Sequence, residues 1–379
     1  MAVAITMKNR LWWCFSLIRG SGGLSMTLSS LRETTPRAAQ SLTDGVRLSN
    51  GAILPWLGFG TYKLKSEQVQ ECVAQAIDAG YCAIDTAFIY GGEKTERLIG
   101  EMKLDRSKIF LTSKHWRKYH GYEPTLECLR LSLQRLQTDY IDLWLMHWPG
   151  PAWNTMARRK DLVEHDQWHY ATISAEDLPR ARAETWRAME DAYRQGKVRA
   201  IGVSNMTVEH LKALKQTATI WPPTVNQVEL HPLRPQTELL EYCRQEGIVV
   251  QAYASLGGQD VGRKTWNQLL GPPTKKGDPP SGLQTCEPVL QLAREVNATP
   301  AQVLLRWALD QGCVLIPKTT RKDRLVENVG IFSFSLTPAQ IEKLTNNVSE
   351  LARQHNPELS EVDTRLCWRN DPLRMLDFA

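Results

Sequence analysis

Residues 140–147 read Tyr-Ile-Asp-Leu-Trp-Leu-Met-His, a strand-like apolar run closed by a histidine. Residues 124–136 before it have the apolar spacing of an amphipathic helix, and residues 183–194 after it have the same spacing. Strand then helix is the unit that repeats outward from here. Upstream, strand-like runs lie at 57–61, 83–86 and 109–114; downstream they lie at 198–204, 224–230, 248–253 and 313–317. Helical spacing recurs at 67–79, where Gly80 ends it, and at 236–245 and 301–310. Eight strands each followed by a helix predict an α/β fold of the closed parallel kind, a (β/α)8 TIM barrel. Asn50-Gly51, between the short runs 46–48 and 52–54, predicts a β-hairpin ahead of it. A doubly wound nucleotide fold would need G-x-G-x-x-G after its first strand, and no such motif stands there.

The barrel is expected to occupy residues 45–345. The long polar stretch 149–182 follows the fourth strand and the Pro- and Gly-rich stretch 257–285 follows the seventh, so both are βα loops at the mouth where such barrels build their sites. Residues 346–379 read as a tail contributing to the substrate pocket. Residues 1–44 differ from the rest. Five basic residues in the first forty face a single acid, Glu33, with several serines among them. That composition fits either an organelle transit peptide or a disordered leader, with Met26 a candidate start.

A formal charge of +5, from 46 Lys and Arg against 41 Asp and Glu, is spread along the chain without a basic block. Nucleic acid and membrane surfaces are therefore not expected partners, and a small molecule is. None of the eight cysteines stands in a C-x-x-C pair, and most lie in apolar periodic stretches. Buried thiols in a reducing compartment follow, the cytoplasm or, with a transit peptide, a mitochondrion or plastid. The chain is expected to act as a monomer or weak oligomer.

Asp85 closes the second strand, Tyr90 stands five positions later, Lys114 closes the third strand and His147 the fourth. Singly, each has an ordinary structural reading: a helix cap, a solvated strand end, a satisfied core histidine. At the carboxyl ends of neighbouring strands they converge on one pocket. A carbonyl that accepts hydride develops alkoxide character and must receive a proton. Tyrosine, with an unperturbed pKa of about 10, is a poor donor until a nearby ammonium favours its phenolate. Asp85 can hold Lys114 charged, and His147 can donate a hydrogen bond to the carbonyl oxygen. The set is an acid catalyst. A metal-dependent barrel hydrolase would need a His and carboxylate ligand set that is missing, and no metal is expected.

Gly80-Tyr81, Ile84-Asp85-Thr86-Ala87, Tyr90 and Glu93 resemble the first signature of the aldo-keto reductases. Leu145-Met146-His147-Trp148-Pro149, Gly202-Val203-Ser204-Asn205 and Ile316-Pro317-Lys318 resemble the later ones, and the resemblance runs from about Val46 to Leu344. It implies reduction of aldehydes or ketones with NADPH and a catalytic tetrad of Asp85, Tyr90, Lys114 and His147. It also implies cofactor contacts. Ser204, Asn205 and Gln227 would hold the nicotinamide carboxamide, Tyr253 would stack on the ring, Thr61 and Tyr62 would lie along the ribose, and Asp85 would also bind the cofactor. Leu256 would line the pyrophosphate; Lys318, Thr319, Arg324, Glu327 and Asn328 would hold the 2′-phosphate and adenine. Tyr62, Ile89, Trp116, His147 and Trp148 would wall the substrate. Three positions depart from the family pattern: Cys82 stands for an Arg, Gly92 for an Asn, and Ala254-Ser255 for Ser-Pro. The alternative is a nicotinamide-binding regulatory subunit of the same fold with little turnover.

Overall fold

The computed structural model describes residues 41–150, 178–258, 262–273, 275 and 277–359. The expected leader lies outside them as far as residue 40, as do most of the loop 149–182 and the tail beyond residue 359.

The hairpin forms where Asn50-Gly51 predicts it: β1 (Gly45–Arg47) pairs antiparallel with β2 (Ile53–Pro55), Val46 opposite Leu54. Gly51 turns the chain at φ 88, a conformation open to glycine at no steric cost. Leu54 and Trp56 then enter the core.

Eight parallel strands follow: β3 (Phe59–Gly60), β4 (Ala83–Asp85), β5 (Phe110–His115), β6 (Leu143–Met146), β7 (Ile201–Ser204), β8 (Val225–Glu229), β9 (Val249–Tyr253) and β10 (Val314–Leu315). Each pairs with its neighbour in sequence. The ring closes at the seam between β10 and β3. Gly58 N donates to Leu315 O at 2.8 Å, Leu315 N to Trp56 O at 2.9 Å, and Gly60 N to Pro317 O at 3.0 Å. A Cβ on Gly60 would meet the Ile316 carbonyl oxygen at 2.6 Å, so the seam needs glycine there. The opening run explains itself: all of β6 is buried, as a parallel strand covered on both faces must be.

The helices between the strands cover the barrel with their apolar stripes. Tyr122–Leu136 buries Thr125, Cys128, Leu129, Ser132 and Leu136, and Gln137 ends it in the left-handed region. Pro300–Leu309 begins at a capping box in which the Thr299 hydroxyl accepts from Gln302 N while Gln302 Oε1 accepts from Thr299 N. Two helices differ from expectation. Arg263–Leu270 lies within the stretch read as loop, and Pro338–His355 runs past the boundary set at residue 345 because Leu344, Val348 and Ala352 continue one buried stripe. Among the described residues no helix is long and apolar enough to cross a membrane. Cys72, Cys128, Cys243, Cys286 and Cys313 are buried thiols, and burial pushes Cys243 and Cys313 to about 12, which leaves them inert.

Candidate active site

Parallel pairing sets the carboxyl ends of β4 to β9 around one mouth. Asp85 lies beside Thr112, Lys114 beside Leu145, and Ser204 beside Gln227, which in turn lies beside Gln251. The Lys114 side chain is fully buried, and each of its three donors has a partner. Its Nζ donates to Asp85 Oδ1 at 2.6 Å, to Thr86 O at 2.8 Å and to Tyr90 OH at 3.2 Å. Burial pulls the Lys114 ammonium below its ordinary range, and the Asp85 carboxylate pulls it back up. Tyr90 reaches this position from a turn in which Gly91, Gly92 and Glu93 take φ of 61, 65 and 71. That conformation accounts for the departure at Gly92, since Gly and Asn are the residues that enter the left-handed region most readily. Arg135, bonded at 2.7 Å to Glu93, fixes the end of the turn.

His147 stands across from the tyrosine, ring centroids 5.9 Å apart, with Trp116 at its edge and Trp148 stacked on it. Burial holds the imidazole well below its ordinary pKa, with Lys114, Arg117 and His115 adding to the effect. The ring is therefore neutral near pH 7 and able to donate one N–H. Its Nδ1 is buried without a hydrogen-bond partner among the described residues.

Next along the cleft, Ser204 Oγ donates to Gln227 O at 2.7 Å, and the Gln227 amide donates to Asp85 Oδ2 at 2.8 Å. Asn205, held at φ 60, donates to His147 O at 2.9 Å and to Ser204 Oγ at 3.1 Å while its Oδ1 accepts from Tyr253 OH at 2.6 Å. Its amide thus braces the walls of the cleft, leaving Oδ1 one further lone pair. At the far end stand Lys318, half-buried, and Arg324, exposed; neither has a carboxylate partner among the described residues. Burial lowers the Lys318 ammonium from its usual range; neighbouring Cys72 opposes that and Lys63 adds to it.

These groups share one cleft that opens to solvent. Asp85, Tyr90, His147, Gln227, Tyr253 and Leu256 line it, together with Tyr62, Ser204, Asn205, Lys318 and Arg324. Lys114 sits behind Asp85 and Tyr90. Other expected residues stand off it. The Thr61 hydroxyl is buried and donates to Asp85 O at 2.8 Å; the Thr319 hydroxyl accepts from Arg321 N at 3.1 Å. Asn328 is buried against Tyr81, and the Glu327 carbonyl accepts from Gln302. Ile89, Trp116 and Trp148 do not line the cleft. Gln284 and Gly258 line it without having been singled out; both come from the loop after the seventh strand, where no periodicity points to them.

Comparison with known proteins identifies the family. The sequence profile of the Aldo/keto reductase family matches residues 56–348. The chain is similar to the glyoxal reductase of Bacillus subtilis (strain 168), 39% identical over 306 residues, covering 80% of this chain and 92% of that protein. It is 36% identical over 304 residues to the NAD(P)H-dependent D-xylose reductase of Candida tenuis, covering 79% and 91%. Among solved structures, an aldo-keto reductase from a Medee basin deep-sea metagenome library superposes with a TM-score of 0.63 at 32% identity, over 80% of this chain and 94% of that one. A Bombyx mori aldo-keto reductase in complex with NADP gives 0.64 at 28% identity, over 83% and 94%.

Proposed function

The chain belongs to the aldo/keto reductase family, an oxidoreductase fold acting on carbonyls, and from that premise we propose that it reduces aldehydes or ketones to alcohols with NADPH, Tyr90 giving the proton. One observation carries this reading: the Lys114 ammonium is bonded at once to the Asp85 carboxylate and the Tyr90 hydroxyl.

The residues present fit a phosphorylated dinucleotide. Lys318 and Arg324 are cations without carboxylate partners among the described residues at one end of the cleft, suited to charge-assisted bonds to a 2′-phosphate. Gln227 and Ser204 offer polar atoms beside Tyr90 at the other end. The NADP complex of the Bombyx mori relative supports the same choice. When bound, the cofactor supplies hydride to the carbonyl carbon. Tyr90 gives its hydroxyl proton to the carbonyl oxygen. Lys114 stabilises the phenolate left behind, and Asp85 keeps that ammonium oriented and charged. His147, neutral, donates a hydrogen bond to the same oxygen and turns the carbonyl toward Tyr90. Tyr62, whose ring lies 5.1 Å from that of Tyr90, forms the wall beside the reacting group.

The test is a screen of small aldehydes, glyoxal and D-xylose among them, against NADPH and NADH, followed by absorbance at the nicotinamide band. The expected result is aldehyde-dependent oxidation of NADPH in preference to NADH. Tight NADPH binding with no oxidation by any carbonyl would favour the regulatory-subunit alternative.

A further inference from the structure

Gln251 lies in the middle of β9, buried inside the barrel wall and opposite Gln227 on β8. Nothing in its sequence context marks it: it interrupts an apolar run, as an occasional polar residue in a strand does. Its side-chain oxygen accepts a hydrogen bond from Gln227 Nε2 at 2.7 Å. The same nitrogen donates to Asp85 Oδ2 at 2.8 Å, and the other oxygen of Asp85 accepts from Lys114, which reaches Tyr90. From Gln251 to the Tyr90 hydroxyl no link is longer than 3.2 Å.

We propose that Gln251 is a positioning residue for the reaction: it fixes the orientation of the Gln227 amide and thereby ties the nicotinamide end of the cleft to the Asp85–Lys114–Tyr90 unit. The inference rests on the carbonyl-reductase reading above.

The chemistry of the donors and acceptors fixes the orientation. An ionised carboxylate only accepts, so Asp85 demands the NH2 end of Gln227. An NH2 group carries two hydrogens, and in this buried setting the second would be left without a partner, a costly state. Gln251 takes it. With both hydrogens committed, the Gln227 side-chain oxygen is the end left over, and Gln227 lines the cleft. An oxygen is the correct polarity to receive an N–H from a primary amide, which is what a nicotinamide carboxamide presents. A flipped Gln227 would set its oxygen against the Asp85 carboxylate and turn a donor toward the ligand. Gln251 therefore acts on the ligand through Gln227 and on the proton donor Tyr90 through Gln227, Asp85 and Lys114, touching neither itself.

Gln251→Met keeps the length and volume of the side chain and removes the acceptor. Gln251→Glu restores an acceptor oxygen at the same reach. Gln251→Leu serves as the second acceptor-free variant should the methionine variant give no folded protein. Binding is read by quenching of tryptophan fluorescence with two probes, NADPH and 2′,5′-ADP, which carries the adenosine and its 2′-phosphate but no nicotinamide. The expected result for Gln251→Met is NADPH binding weakened about tenfold, from the loss of one buried hydrogen bond. Binding of 2′,5′-ADP should be unchanged, kcat should fall as well, and the glutamate variant should regain most of both. Unchanged NADPH affinity in the methionine or leucine variant would overturn the proposal. So would equal weakening of both probes, which marks a merely structural residue. Tyr90→Phe, measured alongside, separates this inference from the reading beneath it. Normal turnover in that variant sinks the reading, whereas a dead Tyr90→Phe beside a wild-type Gln251→Met sinks this inference alone.

Discussion

The two ends of the cleft treat positive charge in opposite ways. At the barrel centre, Lys114 has all three donors engaged at 2.6 to 3.2 Å, and its carboxylate partner is itself held by Gln227. At the outer end, Lys318 and Arg324 face the same cleft with no carboxylate partner among the described residues. A cation that must keep a phenol and a carboxylate in register is braced from every side, because a small displacement at the reacting group is costly in rate. A cation whose task is to draw in and hold a phosphate stays available until the phosphate arrives. Removing the inner cation should therefore damage the fold, and removing an outer one should damage binding alone.

The sharpest way to break that contrast is Lys114→Met. It leaves the buried Asp85 carboxylate without its counter-charge, and a broken buried pair of this kind costs about 3–5 kcal/mol. The urea midpoint should drop accordingly, and turnover should be lost with it. A variant as stable as wild type would mean that Asp85 finds another partner and that the brace is not structural. Arg324→Ala should do the reverse. The side chain is exposed and has no ion-pair partner among the described residues, so stability should stay within about 0.5 kcal/mol. NADPH binding should weaken about 10- to 150-fold, the value of one charge-assisted bond, while NADH, which has no 2′-phosphate, keeps its affinity. Fluorescence titration of both cofactors reads this directly. Equal loss for the two would make Arg324 structural and erase the difference between the ends.

The barrel was legible in the sequence because strands covered on both faces must be almost wholly apolar, and residues 140–147 advertise this. The inner end of the cleft was legible too: Asp85, Lys114 and His147 close successive strands, and a parallel barrel brings successive strand ends together. What escaped was set by partners distant in sequence. Nothing around Gln251 shows that sheet register will lay it against Gln227, and nothing around Asn205 shows that its amide will also bond His147 and Tyr253. The helix Arg263–Leu270 escaped for another reason. Its buried residues Trp266, Leu269 and Leu270 have helical spacing, but the prolines and glycines that follow gave the whole stretch the composition of a loop.

The most direct test of the whole account is a single titration with Tyr90→Phe, NADPH being added first and an aldehyde afterwards in the same cuvette. The substitution keeps the ring against Tyr62 and His147 and removes only the hydroxyl. Saturation is expected at the same NADPH concentration as wild type, followed by oxidation slowed about 10²- to 10⁴-fold, the usual share of a general acid. Oxidation at close to the wild-type rate would contradict it, because the proton would then come from a group other than Tyr90.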